Sequence, residues 1–172
     1  RLRMAGKTRD LALFNLAIDS KLRGCDLVRL QVRDVAHEDH VLARASVVQR
    51  KTHASVRFEL TEQTRYAVRA WIAKACLSAG DYLFPSRQAT SAHLSTRQYA
   101  RLVKQWIALI GADPAEYGTH SLRRTKATLI YRQTRNLRAV QLLLGHRRIE
   151  STVRYLGIEV EDALEMAEHI EC

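Results

Sequence analysis

Apolar side chains recur at helical spacing along almost the whole chain, and only residues 31–60 replace that rhythm with a strand-like one. That single interruption limits the fold to helices around one small antiparallel sheet, a mainly α member of the α+β class. Before it, Asp10 is placed to cap a helix reaching Ser20, with Leu11, Phe14, Leu16 and Ile18 available to the core. Residues 25–30 read as a short second helix. Within the interruption, 41–48 is rich in Val and Ala and 55–60 alternates polar with apolar, so 49–54 is the turn between two strands. After it, Thr61 caps a helix with Val68, Trp71, Ile72, Ala75 and Cys76 at core spacing, ended by Gly80. Leu102, Val103, Trp106, Ile107 and Ile110 mark the next helix, ended by Gly111, and Asp113-Pro114 turns the chain. A further helix begins at Thr119 or Ser121 and runs to about residue 133, a shorter one covers 137–144, and one around Tyr155 is closed by Gly157. Val160, Ala163, Leu164, Ala167 and Ile170 line one face of a last helix.

Charge narrows the partner. The net charge is +10, yet six of the 18 acidic residues follow residue 158, where no Lys or Arg occurs; residues 1–158 therefore carry +16. A compact domain that basic meets a polyanion, nucleic acid before all others. Cys25, Cys76 and Cys172 are odd in number and lack metal-ligand spacing, which fits reduced thiols and a cytoplasmic location. There is neither a signal-like segment nor an apolar run approaching the roughly 20 residues of a membrane helix. The 172 residues suit one domain, spanning 1–172, with a basic core over 1–158 and an acidic amphipathic helix over 159–172. The chain opens on Arg1 rather than Met, as a piece trimmed from a longer polypeptide would.

Two segments stand out chemically. T-H-S-L-R-R-T (119–125) sets His120 and Arg123 three apart, on one helical face. L-L-L-G-H-R-R-I-E-S-T-V-R-Y (142–155) places His146 just after a helix-breaking Gly145, with Tyr155 nine residues on. Taken singly, these are a basic helix face, a surface histidine and a packing tyrosine.

Together they resemble the H-x-x-R box and the L-G-H box with its downstream tyrosine in the tyrosine recombinases of the phage integrase family. K-L-R-G-C-D-L-V-R-L is similar to that family's first arginine box, with Arg23 as the arginine and Asp26 at the acidic position. The family's lysine lies on a turn between two strands, as Lys51 does in Q-R-K-T-H-A-S-V-R-F-E-L, where Arg50 and Arg57 crowd the same hairpin. The four elements follow in the family's order and span residues 8 to 157. The resemblance implies a single catalytic domain of a site-specific DNA recombinase or integrase. Such an enzyme cuts and rejoins strands of double-stranded DNA through a 3′-phosphotyrosyl intermediate, in the service of a mobile element. It implies no cofactor and no metal, and other copies of the chain on DNA, assembled as a tetrameric synapse. Most members carry a helical domain before the catalytic one, and the 22 residues ahead of Arg23 leave no room for that core-binding domain in this chain. The alternatives are a type IB topoisomerase-like relaxing enzyme, which shares the active-site plan, and a non-catalytic DNA-binding protein of the same fold.

Phosphoryl-transfer chemistry assigns the roles. A phosphodiester under attack gathers charge on its non-bridging oxygens, and preorganised cationic donors there are the main lever. Arg23 and Arg123 suit that task because guanidinium is planar, bidentate and always charged. His146 adds a hydrogen bond to the same phosphate. Tyr155 is the nucleophile, and with a phenol pKa near 10 it needs the nearby positive field to ionise. His120 is the candidate proton acceptor, Lys51 the candidate acid for the departing 5′-oxygen, and Asp26 a supporting hydrogen-bond partner. Arg132, Arg135, Arg138, Arg147 and Arg148 are candidates for backbone phosphate contacts. His37 and His40 are expected in a loop without metal, and Trp71 and Trp106 in core stripes.

Overall fold

The computed structural model describes residues 1–87, 91–158 and Glu168. Helix α1 (Thr8–Ser20) buries Ala12, Leu13, Leu16 and Ala17, a stripe with helical period that packs on α4 (Glu62–Lys74) and α6 (Thr119–Thr134). Asp10 does not cap it. The helix starts two residues earlier, and the buried Asp10 carboxylate instead accepts the Trp106 indole N–H at 3.2 Å, as a buried indole requires.

The expected helix over 25–30 is a single turn, α2 (Gly24–Leu27), and the region expected to be strand-like from residue 31 opens on another helical turn, α3 (Val32–Val35). A new start is anchored at Gln31, whose backbone N–H donates to the Asp34 carboxylate at 2.8 Å, and the Val32 and Arg33 N–H groups reach the Asp81 and Ala79 carbonyls. The sheet is likewise two hairpins. β1 (Ala36–His37) pairs with β2 (His40–Val41), so His37 and His40, expected in a loop, face each other across strands. β3 (Arg44–Val48) pairs with β4 (Ser55–Glu59) in antiparallel register, Ala45 opposite Phe58 and Val47 opposite Val56. Ala45, Val56 and Phe58 point into the core, and the turn falls at 49–54 as the alternation predicts.

Thr61 caps α4 through its hydroxyl, but the helix ends at Lys74 rather than near Gly80. Cys76 takes a left-handed conformation and is exposed, so it is no core residue. The chain must turn back there because Leu83 N–H pairs with the Leu30 carbonyl at 2.7 Å and the Trp71 indole with the Leu83 carbonyl at 2.7 Å. Helix α5 (Thr96–Leu109) is capped by Ser95 and buries Trp106 against Phe14 and Tyr99. α6, α7 (Leu137–Leu144) and α8 (Ile149–Leu156) follow the expected bounds closely, with Gly145 and Gly157 in the left-handed conformation at the ends of α7 and α8. They enclose a small second core of Ala127, Tyr131, Val140 and Leu144, against which Tyr155 and Leu156 pack. The expected final helix over 160–170 lies outside the described residues, Glu168 excepted.

Buried charges join α6 to the main body. Asp19 accepts hydrogen bonds from Thr61 N–H, Thr61 Oγ1, Thr64 Oγ1 and Lys126 Nζ, and Lys126 and the fully buried Lys21 both reach Glu59. Burial disfavours the Asp19 anion, but Lys126 and the two threonines outweigh it and hold its pKa below the usual carboxylate value. Helix α6 is thereby pinned by charge as well as by packing.

Candidate active site

Arg23 ends the extended segment after α1 and occupies the N-cap position of α2, which turns its side chain toward the β3–β4 hairpin. There Arg23 Nη1 donates to the side-chain oxygen of Gln49. Arg123 lies in the second turn of α6 at 3% exposure, and its Nη2 donates to the Leu144 carbonyl at 2.9 Å. That carbonyl is free because α7 ends there, one residue before Gly145. A Cβ at Gly145 would collide with Val56 Cγ1 and lie 3.1 Å from the Gln49 amide, and φ is +65°, so only glycine suits this corner.

The corner delivers His146, whose Nδ1 is 3.1 Å from the buried Thr152 hydroxyl. Its backbone carbonyl and that of Arg147 accept from the buried amide of Gln141, at 3.1 and 3.3 Å. One turn of α8 past Thr152, Tyr155 meets His146 edge to face with ring centroids 5.5 Å apart. Arg123 lies 5.6 Å and Arg124 5.4 Å from the centre of the same ring. The Tyr155 hydroxyl is buried and has no hydrogen-bond partner among the described residues.

The electrostatics follow from burial and crowding. Burial, with Arg23 close by, brings the Arg123 pKa down to about 10, which still leaves it charged at neutral pH. Burial first, then Arg123 and Arg23, lowers His146 to about 4, so its imidazole is neutral. For Tyr155, burial raises the pKa while Arg123, Arg124 and Arg23 lower it, and burial wins. The positive field foreseen in the sequence is present, but it does not by itself ionise this phenol.

Arg23, Arg123, His146 and Tyr155 are thus gathered at one place. Asp26 sits at its edge, where Oδ1 accepts the Arg50 N–H at 3.0 Å and fixes one side of the turn carrying Lys51. Lys51 and His120 are exposed, and among the described residues neither side chain makes a hydrogen bond or ion pair. His120 belongs to the same helix as Arg123 but lines an open groove of about 780 Å³ with Arg124 and Arg132. Of the expected phosphate contacts, Arg147 donates to the Thr52 carbonyl at 2.8 Å, Arg138 to Gln141 at 2.7 Å, and Arg135 stacks on Tyr131. Arg132 and Arg148 are exposed.

Sequence reading missed Gln49, Arg124, Gln141 and Thr152. Arg124 was visible as the second arginine of its box, but adjacent helix positions diverge by about 100°, and only the packing of α8 lets both arginines flank one ring. A buried amide after a strand carries no pattern that would single it out. Among the described residues no three His, Cys, Asp or Glu side chains stand together as a metal cage, and no helix is long and apolar enough to cross a membrane.

The family model described as "Phage integrase family" matches residues 3–161. The probable integrase/recombinase YoeC of Bacillus subtilis (strain 168) is 32% identical over 155 residues, 88% of this chain and 78% of that protein. A tyrosine recombinase XerC of Erythrobacter litoralis is 30% identical over 149 residues, covering 87% of this chain but 46% of the relative. The chain therefore spans about half the length of the XerC relatives it matches. Among solved structures, XerA recombinase superposes with a TM-score of 0.77 at 21% identity, covering 98% of this chain and 59% of that one. XerH recombinase bound to its difH substrate gives 0.74 at 20% identity, covering 95% and 47%. With the motifs in order, the fold shared and the family model matching nearly end to end, the chain belongs to the phage integrase family of tyrosine recombinases.

Proposed function

We propose that this chain is the catalytic domain of a site-specific DNA recombinase that cleaves and reseals strands through Tyr155. The observation that carries the reading is the packing of Arg123, Arg124 and His146 around the ring of one tyrosine, with Arg23 acting on the same groups. In the proposed step, Tyr155 Oη bonds to phosphorus and the P–O5′ bond breaks, leaving a 3′-phosphotyrosyl link and a 5′-hydroxyl. Arg23 and Arg123 bind the non-bridging oxygens, where losing one such donor costs about 100- to 1000-fold. In a neutral His146 whose Nδ1 accepts a hydrogen bond from the Thr152 hydroxyl, Nε2 carries the ring proton and donates it in a hydrogen bond to the phosphate. His120 receives the phenol proton and Lys51 supplies one to the 5′-oxygen, both from exposed positions that DNA can reach. Asp26 supports the turn bearing Lys51. Because the covalent link conserves the bond energy, resealing requires no ATP, and the two arginines take the charge-stabilising role that a metal would otherwise fill.

Relatives bearing the names integrase and recombinase support this reading over a relaxing enzyme or an inert DNA binder. The basic residues 132–148 and the +16 charge of residues 1–158 make duplex DNA the partner. Assembly of several copies on DNA and a cytoplasmic site of action belong to the same proposal. The test incubates the protein with nicked duplexes tiled across the DNA flanking its own coding region, followed by denaturing electrophoresis. A covalent adduct that disappears in Tyr155→Phe supports the reading, whereas an undiminished adduct in that variant removes Tyr155 as nucleophile.

A further inference from the structure

We infer that Gln49 is a positioning residue for the active site, the joint through which Arg23, the Lys51 turn and the Leu144–Gly145–His146 corner are held in one arrangement; this rests on the reading of Arg23 as a phosphate-binding arginine. Gln49 follows β3 and is 1% exposed. Its Oε1 accepts from Arg23 Nη1 and from Thr52 Oγ1, the latter at 2.8 Å, and its Nε2 donates to the Leu144 carbonyl at 3.1 Å. The same carbonyl receives Arg123 Nη2. Its main chain closes the hairpin as well, with Gln49 N–H reaching the Ala54 carbonyl at 2.9 Å and His53 N–H the Gln49 carbonyl at 2.8 Å. One amide therefore touches the N-terminal arginine box, the lysine turn and the end of α7, the last of them 95 residues along the chain from Gln49.

The chemistry asks for an amide. Its oxygen meets two donors and its nitrogen meets an acceptor, so the group is satisfied in only one orientation. An amide oxygen orients a guanidinium without cancelling its charge, and Arg23 keeps its full charge for a phosphate. A carboxylate would also orient Arg23, but as an ion pair it would compete with the phosphate for the same donors. A methionine fills the space and makes none of the three bonds. Gly145 packs its bare Cα against the amide, so a looser side chain there would also free the corner that carries His146.

Two measurements on the full chain test this. The first needs no DNA: nitrogen-15 NMR of arginine side chains reads hindered rotation of the Arg23 guanidinium. Rotation should be slow in the parent protein, fast in Gln49→Met and slow in Gln49→Glu; equal rotation in the parent and the methionine variant overturns the proposal. The second follows adduct formation on the nicked flanking duplex. Both variants should lose roughly 10- to 100-fold in rate, the size of one bond to a charged group, with duplex affinity unchanged. In an Arg23→Ala background, Gln49→Met should cost less than in the parent, because part of its effect passes through Arg23. A fully additive loss, or parent-like cleavage by Gln49→Glu, overturns the role. If Gln49→Met melts early, Gln49→Glu, which keeps the shape, still decides. No adduct from the parent protein would sink the reading of the enzyme and leave the NMR result to judge the joint.

Discussion

Arg123 is tied to Leu144 by a 2.9 Å hydrogen bond from its guanidinium to the last carbonyl of α7. The arginine of one motif is therefore held by the helix end of another, and the proposed phosphate-binding group shares an anchor with the His146 corner. Arg123→Lys keeps the charge and loses the fork. Adduct formation by Arg123→Lys and Arg123→Ala should each fall about 100- to 1000-fold on a nicked duplex, with filter binding little changed. Cleavage by Arg123→Lys within a few-fold of the parent would count against the clamp.

Tyr155→Phe should behave oppositely in two assays. Covalent attachment is lost, but the buried hydroxyl has no hydrogen-bond partner to lose among the described residues. An unsatisfied buried polar group costs about 1–3 kcal/mol, so its removal leaves the melting temperature unchanged or raises it. Clear destabilisation by calorimetry would mean that the hydroxyl is bonded after all.

Gly145→Ala should be far more damaging than its size suggests. The new Cβ meets Val56 and the Gln49 amide, and the residue keeps φ +65°. Left-handed strain and the clash together should cost more than about 2 kcal/mol in urea unfolding. A fully folded variant with unchanged cleavage would show that the corner can shift freely.

Acid should weaken the fold in two stages. The folded pKa of His146, about 4, lies below its unfolded value of 6.5, so below pH 6.5 the unfolded chain takes up the proton first. Stability contributed by neutral His146 is full above pH 6.5 and declines as pH falls toward 4. Asp19 and Glu59, also lowered, give up their share at lower pH still, as their buried pairs are protonated. In His146→Gln the decline between pH 6.5 and 4 should flatten; an unchanged slope would assign it elsewhere.

Removing one buried partner should expose the worth of the charge cluster. Asp19→Ala strips Lys126, Thr61 and Thr64 of a shared acceptor and should destabilise by about 3–5 kcal/mol. A loss below about 1 kcal/mol in chemical denaturation would show that solvent replaces the carboxylate.

The sequence by itself determined the elements whose cause is local. Residues 137–144 form a helix because apolar spacing and Gly145 say so within eight positions, and the 49–54 turn follows from the alternation on either side of it. The four boxes carry their residue types in fixed order, so Arg23, Arg123, His146 and Tyr155 are legible as one set of candidates in the sequence. Where long-range partners decide, the sequence was mute. Asp10 looks like a cap and is a partner for Trp106, 96 residues away. The helix after Thr61 stops at Lys74 because Leu83 must reach Leu30, a pairing no window near residue 74 contains. Only the tertiary structure chose Gln49 as the group that meets Arg23 and Leu144, since a buried polar group is defined by the donors and acceptors that surround it. It also decided that the Tyr155 pKa is raised rather than lowered, because burial outweighs the arginine field, and a string of residues carries no measure of depth.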